Sequence, residues 1–537
     1  MKQTMRQHSF TSQLKSLALV FGVALAFASC ANEDVAQNPT NPNDDNDKNL
    51  TTFVAGDEAK TRTSLDYNSS DFSWEAGDYI YVKDDDGVLQ KSSNAPTQKV
   101  AAFKYKVPGK FSAHTSYKVY YLGKNSNATD KKVTISTAQT QTKPDNTEHF
   151  GTAGDYGTAT ATKVSGKQQF AFELEHQPAY LVFQPYTSNT ILHDCYLTKI
   201  EVSSDNDIAE TYTVNPTTGA LDASALTDGK QIVLTTSGSS SNPDGFPLTN
   251  STASVTTNGA YMVIKPGTHI LKVRYWVKDV ATGVEGTITK TLPSKPYASN
   301  TYYDMTANLN VRDYDGDHYY MWDAQEQYWY GYEWTKHLPG NTGQPTLNNN
   351  SSSNYAQSSS DSRYYNESFP GVGISNPATH TSCKDLPNAN ELSWYCMYGD
   401  PRWDGDELWT TMGHLYKGGM WFKKKSVLQA EHHYDTEKSA DGTTDMRTTY
   451  KIYSNSSSSI YNSVLPSAAD AGNYFYLPAL GGYVSDQLYF VGRYGYYWSS
   501  SADPRYSFDA YFLILGNYNV GVRDNHRSGG YRAAALQ

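Results

Sequence analysis

The stretch HILKVRYWV, His269 to Val277, places Leu271, Val273, Tyr275 and Val277 on one side of an extended chain. A period of two is the signature of a strand with a buried face. Outward from it, between about Leu50 and Val311, similar short runs are separated by clusters of Gly, Asn, Asp, Ser and Pro. No helix-period pattern of useful length interrupts them, and the spacing predicts an all-β sandwich architecture. The 537 residues exceed one ordinary core and suggest roughly two to four domains. With 44 Tyr and 10 Trp there is ample aromatic mass to bury, which argues against global disorder. A net charge of -11 disfavours nucleic acid as a partner, because phosphate binding needs a concentrated cationic field.

The chain opens with Lys2, Arg6 and Lys15 ahead of SLALVFGVALAFA, Ser16 to Ala28. This apolar run is too short for a membrane span and reads as an export signal. It ends on Ala28 and Ser29 directly before Cys30, which resembles a bacterial lipobox. The resemblance implies removal of residues 1–29 as a signal peptide and lipid attachment at Cys30. Residues 30–49, acidic and rich in Asn and Pro, cannot bury apolar surface and are expected to be a flexible tether. Glu33 and Asp34 resemble the surface-export signal of Bacteroidetes lipoproteins, which implies the outer membrane, facing outward, as the address.

KTRTSLDYNSSDFSWEAGDYIYV (Lys60 to Val82), LEHQPAYLVFQ (Leu174 to Gln184), LTKIEVSSDN (Leu197 to Asn206) and YYDMTANLNV (Tyr302 to Val311) follow in order. As a set they resemble the fimbrillin family of Bacteroidetes pilus subunits. The resemblance implies two tandem Greek-key, transthyretin-like β-sandwiches, assigned to 50–185 and 186–311. It also implies partner subunits joined by strand donation, a form of β-augmentation. Residue by residue, Trp74 is expected to anchor a core, Gly77-Asp78 to supply a hairpin turn, and His176 to be packed or hydrogen-bonded.

The third region runs from Arg312 to Gln537. Asp313, Asp315 and Asp317 do not make an EF-hand, whose twelfth position would fall on Ala324; a tight turn is expected. Pro339 to Ser368 is polar and low in complexity and is expected to be a long mobile loop. LPNANELSWYCMYG, Leu386 to Gly399, predicts a helix capped by Asn388 with Glu391 three residues on and stopped at Gly399. Together with DYDGDHYY, GGMW, FYLPALGG and YYWSSS, this region resembles the major paralogous domain of Bacteroidetes surface proteins. That implies an α+β fold of the C-type-lectin-like kind. Within it Tyr511 to Leu515 is expected to be a central strand and Trp498 a core anchor.

No metalloprotease, P-loop, nucleophile-elbow or Rossmann motif occurs, so no catalytic residue, metal or cofactor is assigned. Glu431, His432, His433 and Asp435 are types a transition metal uses, but adjacent residues on a strand face opposite ways and only some could converge, so an exposed loop is expected. Asp404 and Asp406 flank Gly405 and read as a turn. Cys383 and Cys396 flank one short segment and are candidates for a disulfide, with Cys195 left as a buried small hydrophobe. Candidate ligand contacts fall in the closing loops: Ser499, Arg505, Tyr506, Asn517, Tyr518, Asn519, Asp524, Asn525, His526, Arg527 and Tyr531. Amide, aromatic and charged groups of this kind contact ligands at modest entropic cost. The expectation is a non-enzymatic adhesion lipoprotein, a fimbrial tip or accessory subunit recognising a glycan or a host or bacterial surface protein. The alternative is a glycan-capture lipoprotein of a nutrient-uptake system. The Tyr- and Asn-rich ending also resembles the diversified C-terminal regions of some lectin-like proteins.

Overall fold

The computed structural model describes residues 3–9 (backbone only), 49–55, 64–67, 71–126, 131–314, 318–335, 353–365, 376–462 and 464–537. Cys30, the tether up to Lys48, and Asp315 and Asp317 lie outside the described residues. The chain is mainly β and divides into two compact units. The first comprises Met1–Ser188, Tyr196–Tyr275 and Leu292–Leu309; the second comprises Asn189–Cys195, Trp276–Thr291 and Asn310–Gln537.

In unit 1, period-two runs form strands as expected. One sheet runs Leu89–Lys91, Ile80–Lys83, Ser116–Tyr121, Gly157–Lys163, Gln169–Phe172, Leu50–Ala55 and Phe103–Pro108 in spatial order. Its inward residues Phe53, Val82, Tyr105, Val119 and Phe172 close around the fully buried Trp74. Edge-to-face rings set the packing, with Tyr105 at 5.3 Å and Tyr121 at 5.8 Å from Trp74. Gly77 takes a left-handed φ of 81°, and Asp78 receives the Glu75 N–H and the Tyr121 hydroxyl. His176 is buried against Asp155 at 3.0 Å, a structural contact.

A second sheet in unit 1 has four strands in the order Gln3–Ser9, Thr301–Asn308, Ala179–Tyr186 and Ala260–Ile264. Thr301–Asn308 pairs in parallel with Ala179–Tyr186 on one side and antiparallel with Gln3–Ser9 on the other. The latter register is unbroken over seven pairs, from Gln3 opposite Ala307 to Ser9 opposite Thr301.

Unit 2 is built on a six-stranded sheet ordered Tyr319–Tyr320, Tyr531–Arg532, Tyr494–Ala502, Asp509–Gly516, Val520–His526 and Tyr453–Asn455. A meander of Arg402–Thr411, His414–Lys423 and Tyr474–Pro478 lies beside it in the same unit. The helix is Ala389–Tyr398, with the full capping box of Asn388 and Glu391 in place and Gly399 at its end. Its Leu392, Tyr395 and Cys396 join Leu513, Leu515, Val520 and Val522 in one core. A second core gathers Trp322, Cys383, Trp498, Phe512 and Tyr531. Cys383 and Cys396 therefore sit in separate cores as free thiols and do not form the expected disulfide. Burial pushes both thiols up to about 12, which keeps them protonated and inert.

Candidate functional site

Antiparallel pairing decides which of the candidate residues meet. Asp509 faces His526 at one end of the closing hairpin and Leu515 faces Val520 at the other. At the rise of an extended strand, about 3.4 Å per residue, those ends are roughly 20 Å apart. Asn517, Tyr518 and Asn519 occupy the turn at the far end, with Tyr518 67% exposed, so they do not join the rest. Arg505, Tyr506, Asp524, Asn525, His526 and Tyr531 gather at the near end.

Two candidates are corrected by burial. Ser499 is fully buried where the strand register shifts between Trp498 and Ala502. Its hydroxyl donates to the Tyr511 carbonyl at 2.8 Å and accepts the Ser501 N–H, so it satisfies backbone freed by the bulge. Arg527 is 1% exposed, its guanidinium 4.4 Å over the Trp322 ring and its Nε donating to the Asp509 carbonyl. Burial pulls it down to about 10. Both side chains are buried, unlike the exposed Tyr506 of the same candidate set.

At the near end, Arg505 bridges Asp503 and Asp524 at 3.1 Å each and lies over the Tyr450 ring. Asp503 is buried and accepts the backbone N–H groups of Arg505 and Tyr506. Burial, followed by the negative charges of Asp524 and Asp503, raises Asp509 to about 6. Tyr506 and Phe508, both 44% exposed, stand near-parallel at 5.4 Å, and His526 continues the row at 5.8 Å from Phe508.

Beside this row opens a pocket of about 380 Å³. Met321, Ala356 and Tyr531 make its buried floor, Tyr355 and Tyr364 its half-buried wall, and Gln357, Ser485, Asn525, His526 and Ser528 its polar rim. Gly530 sets the geometry: its N–H and carbonyl both bond Tyr483 at 2.9 Å. A Cβ there would meet the Tyr328 ring at 2.6 Å, so only glycine lets the loop approach the Gly482–Val484 strand so closely.

Tyr355, Gln357 and Tyr364 were not among the sequence candidates. They lie in the polar stretch expected to be a mobile loop, of which residues 353–365 are in fact held down. Buried Arg363 pairs with Asp361 at 2.7 Å and donates to the Asn354 carbonyl. The signal available was the presence of Tyr355, Arg363, Tyr364 and Tyr365 within a tract otherwise of Ser, Asn and Asp.

Elsewhere the acidic and histidine clusters have structural partners. Asp404 accepts the Asp406 N–H and the Trp421 indole at a bulge. Glu431 pairs with Lys423, and His433 stacks on Tyr398 at 4.2 Å. Among the described residues no group of three or more His, Cys, Asp or Glu is placed to hold a metal ion.

No protein-family model matches the chain, and no curated protein is similar to it. Solved structures with some likeness include a "putative cell adhesion protein" from Bacteroides ovatus, 15% identical, with a TM-score of 0.30 over 49% of this chain and 93% of that one. The fimbrial anchor protein Mfa2 from Porphyromonas gingivalis is 14% identical, with a TM-score of 0.21 over 45% and 82%. A fimbrial protein from Bacteroides ovatus is 12% identical, with a TM-score of 0.23 over 89% and 97%.

Proposed function

We propose that the chain is a non-enzymatic, surface-exposed lipoprotein of the fimbrillin kind, acting in adhesion as a tip or accessory subunit. In this reading unit 1 holds the tandem sandwiches and accepts a neighbour's strand, while unit 2, lectin-like, presents the recognition face. The observation that carries it is the seven-residue pairing of Gln3–Ser9 along Thr301–Asn308. Those seven residues precede the apolar export run, and cleavage before Cys30 would remove them. The slot they fill would then be vacant.

A vacated edge is costly. Tyr302, Tyr303, Met305 and Ala307 of that strand are buried, and an apolar strand with unpaired backbone is a template for another chain. Strand donation from a neighbouring subunit satisfies both needs. A large unit follows Thr301–Asn308, which suits a distal position. The lipid at Cys30 holds the chain to the outer membrane until assembly.

N-terminal sequencing of material recovered from surface fibres tests this reading. The expected result is a chain in fibres that begins at Cys30 or beyond. Residues 3–9 retained in fibre-borne protein would contradict strand replacement. A lipidated chain confined to the membrane and absent from fibres would favour the second reading, a stand-alone glycan-capture lipoprotein, which the aromatic and amide lining of the unit 2 pocket also suits.

A further inference from the structure

The pocket's lining narrows its ligand. Among the described residues, no Asp, Glu, Lys or Arg lines it. Arg505 and Asp524 nearby are committed to one another, with Asp503 completing the pairing. A ligand with a fixed charge would therefore lose its hydration without a countercharge. A purely apolar ligand would cover the Ser485 hydroxyl and the hydrogen-bonding capacity that Gln357, Asn525 and Ser528 have left over from their own contacts. What remains is a neutral solute that both donates and accepts hydrogen bonds and also has an apolar face. The rings of Tyr355, Tyr364 and Tyr531 and the side chain of Met321 supply the matching apolar surface.

The site is organised before any ligand arrives. Tyr531 is wedged against Trp498 at 4.5 Å and Tyr496 at 4.9 Å, and the Asn525 amide donates to its hydroxyl. His526 contacts the Ser528 hydroxyl through Nδ1 at 2.6 Å and the Tyr365 hydroxyl through Nε2 at 3.2 Å. Such fixing lowers the ordering cost of binding. At about 380 Å³ the cavity is at the small end of ligand pockets, which span roughly 300–1,000 Å³, and suits a single ring better than a peptide. From His526 the exposed row of Phe508 and Tyr506 leads away over the surface.

We propose that this pocket binds one residue of a neutral saccharide chain, whose following residues run along His526, Phe508 and Tyr506. The proposal rests on the reading of unit 2 as a recognition unit and names its ligand class. The test applies residues 30–537, with Cys30→Ser to prevent lipidation, to a printed array of neutral, sialylated and sulfated oligosaccharides. Wild type is expected to bind a subset of neutral glycans. Ser528→Phe, which fills the pocket, and Asn525→Ala, which removes a rim amide and its bond to Tyr531, are each expected to weaken binding about tenfold or more, with the folded state retained in both as read by melting. Tyr518→Ala, at the far turn, should bind as wild type. Equal binding by Ser528→Phe and wild type would overturn the pocket as the site. A preference for sialylated or sulfated glycans would overturn neutrality. A chain that enters fibres yet binds no glycan would overturn the saccharide and leave the adhesion reading standing. A chain that binds neutral glycans through this pocket but never enters fibres would do the reverse.

Discussion

Two strands, Thr301–Asn308 in unit 1 and Asp509–Gly516 in unit 2, are each flanked on both sides, but by neighbours of different origin. Asp509–Gly516 is paired with Tyr494–Ala502 before it and Val520–His526 after it, all drawn from one continuous stretch. Thr301–Asn308 has Ala179–Tyr186 on one side, and on the other a strand from the extreme N-terminus. The first arrangement is closed by local chain and cannot be undone without unfolding. The second is closed by residues that precede the apolar run Ser16 to Ala28. The difference is why the proposed strand exchange is assigned to the borrowed neighbour and the proposed recognition to the ends of a locally closed sheet.

The comparison breaks most visibly if unit 2 is not a closed support. Trp498 is 1% exposed, donates its indole N–H to the Tyr320 carbonyl at 2.8 Å and packs on Tyr531. Trp498→Ala should cost about 3–5 kcal/mol in urea unfolding and abolish the pocket floor. A cost under about 1 kcal/mol would mean the sheet does not depend on this core. Next in size is Arg505→Ala, which leaves the buried Asp503 and the half-buried Asp524 without their cation. A loss of about 1–2 kcal/mol is expected by the same measurement, since Arg505 is partly exposed and screened.

A smaller effect follows from Asp509, raised by burial and by Asp524 and Asp503 to about 6. Its folded form holds a proton more tightly than the unfolded chain, so stability is greatest at low pH and falls as pH rises from about 4 to 6. Discounted for its partial exposure, that decline amounts to about 1 kcal/mol. Asp509→Asn should flatten the slope in pH-dependent melting. An unchanged slope would assign the decline elsewhere. At the other end of the hairpin, Tyr518→Ala should shift stability by less than about 0.5 kcal/mol, because the ring is 67% exposed.

Much of the fold can be read from local chemistry. Asn388, Glu391 and Gly399 mark the helix ends, the alternation around Tyr275 marks strands, and Trp74 and Trp498 are core anchors. These signals are local, and local rules reach them. The site was legible only in part, because membership depends on register. Asn517 to Asn519 and Asn525 to Tyr531 lie close in sequence and are held apart by the length of a hairpin. Ser499 and Arg527 look like loop contacts until a bulge and a tryptophan ring bury them. Tyr355 and Tyr364 were masked by a polar composition that Arg363 overrides with buried bonds. The seven residues at Gln3–Ser9 give no strand signal distinct from their place ahead of an apolar run.

The most direct test of strand replacement is amide hydrogen exchange along Thr301–Asn308. It would be measured in a chain retaining residues 1–29, in a chain beginning at residue 30, and in protein recovered from fibres. Strand replacement requires protection in the first, loss of protection in the second, and recovery in the third, with Asp509–Gly516 protected throughout. Equal protection of Thr301–Asn308 in all three would contradict it, because the edge would then be closed without a borrowed strand.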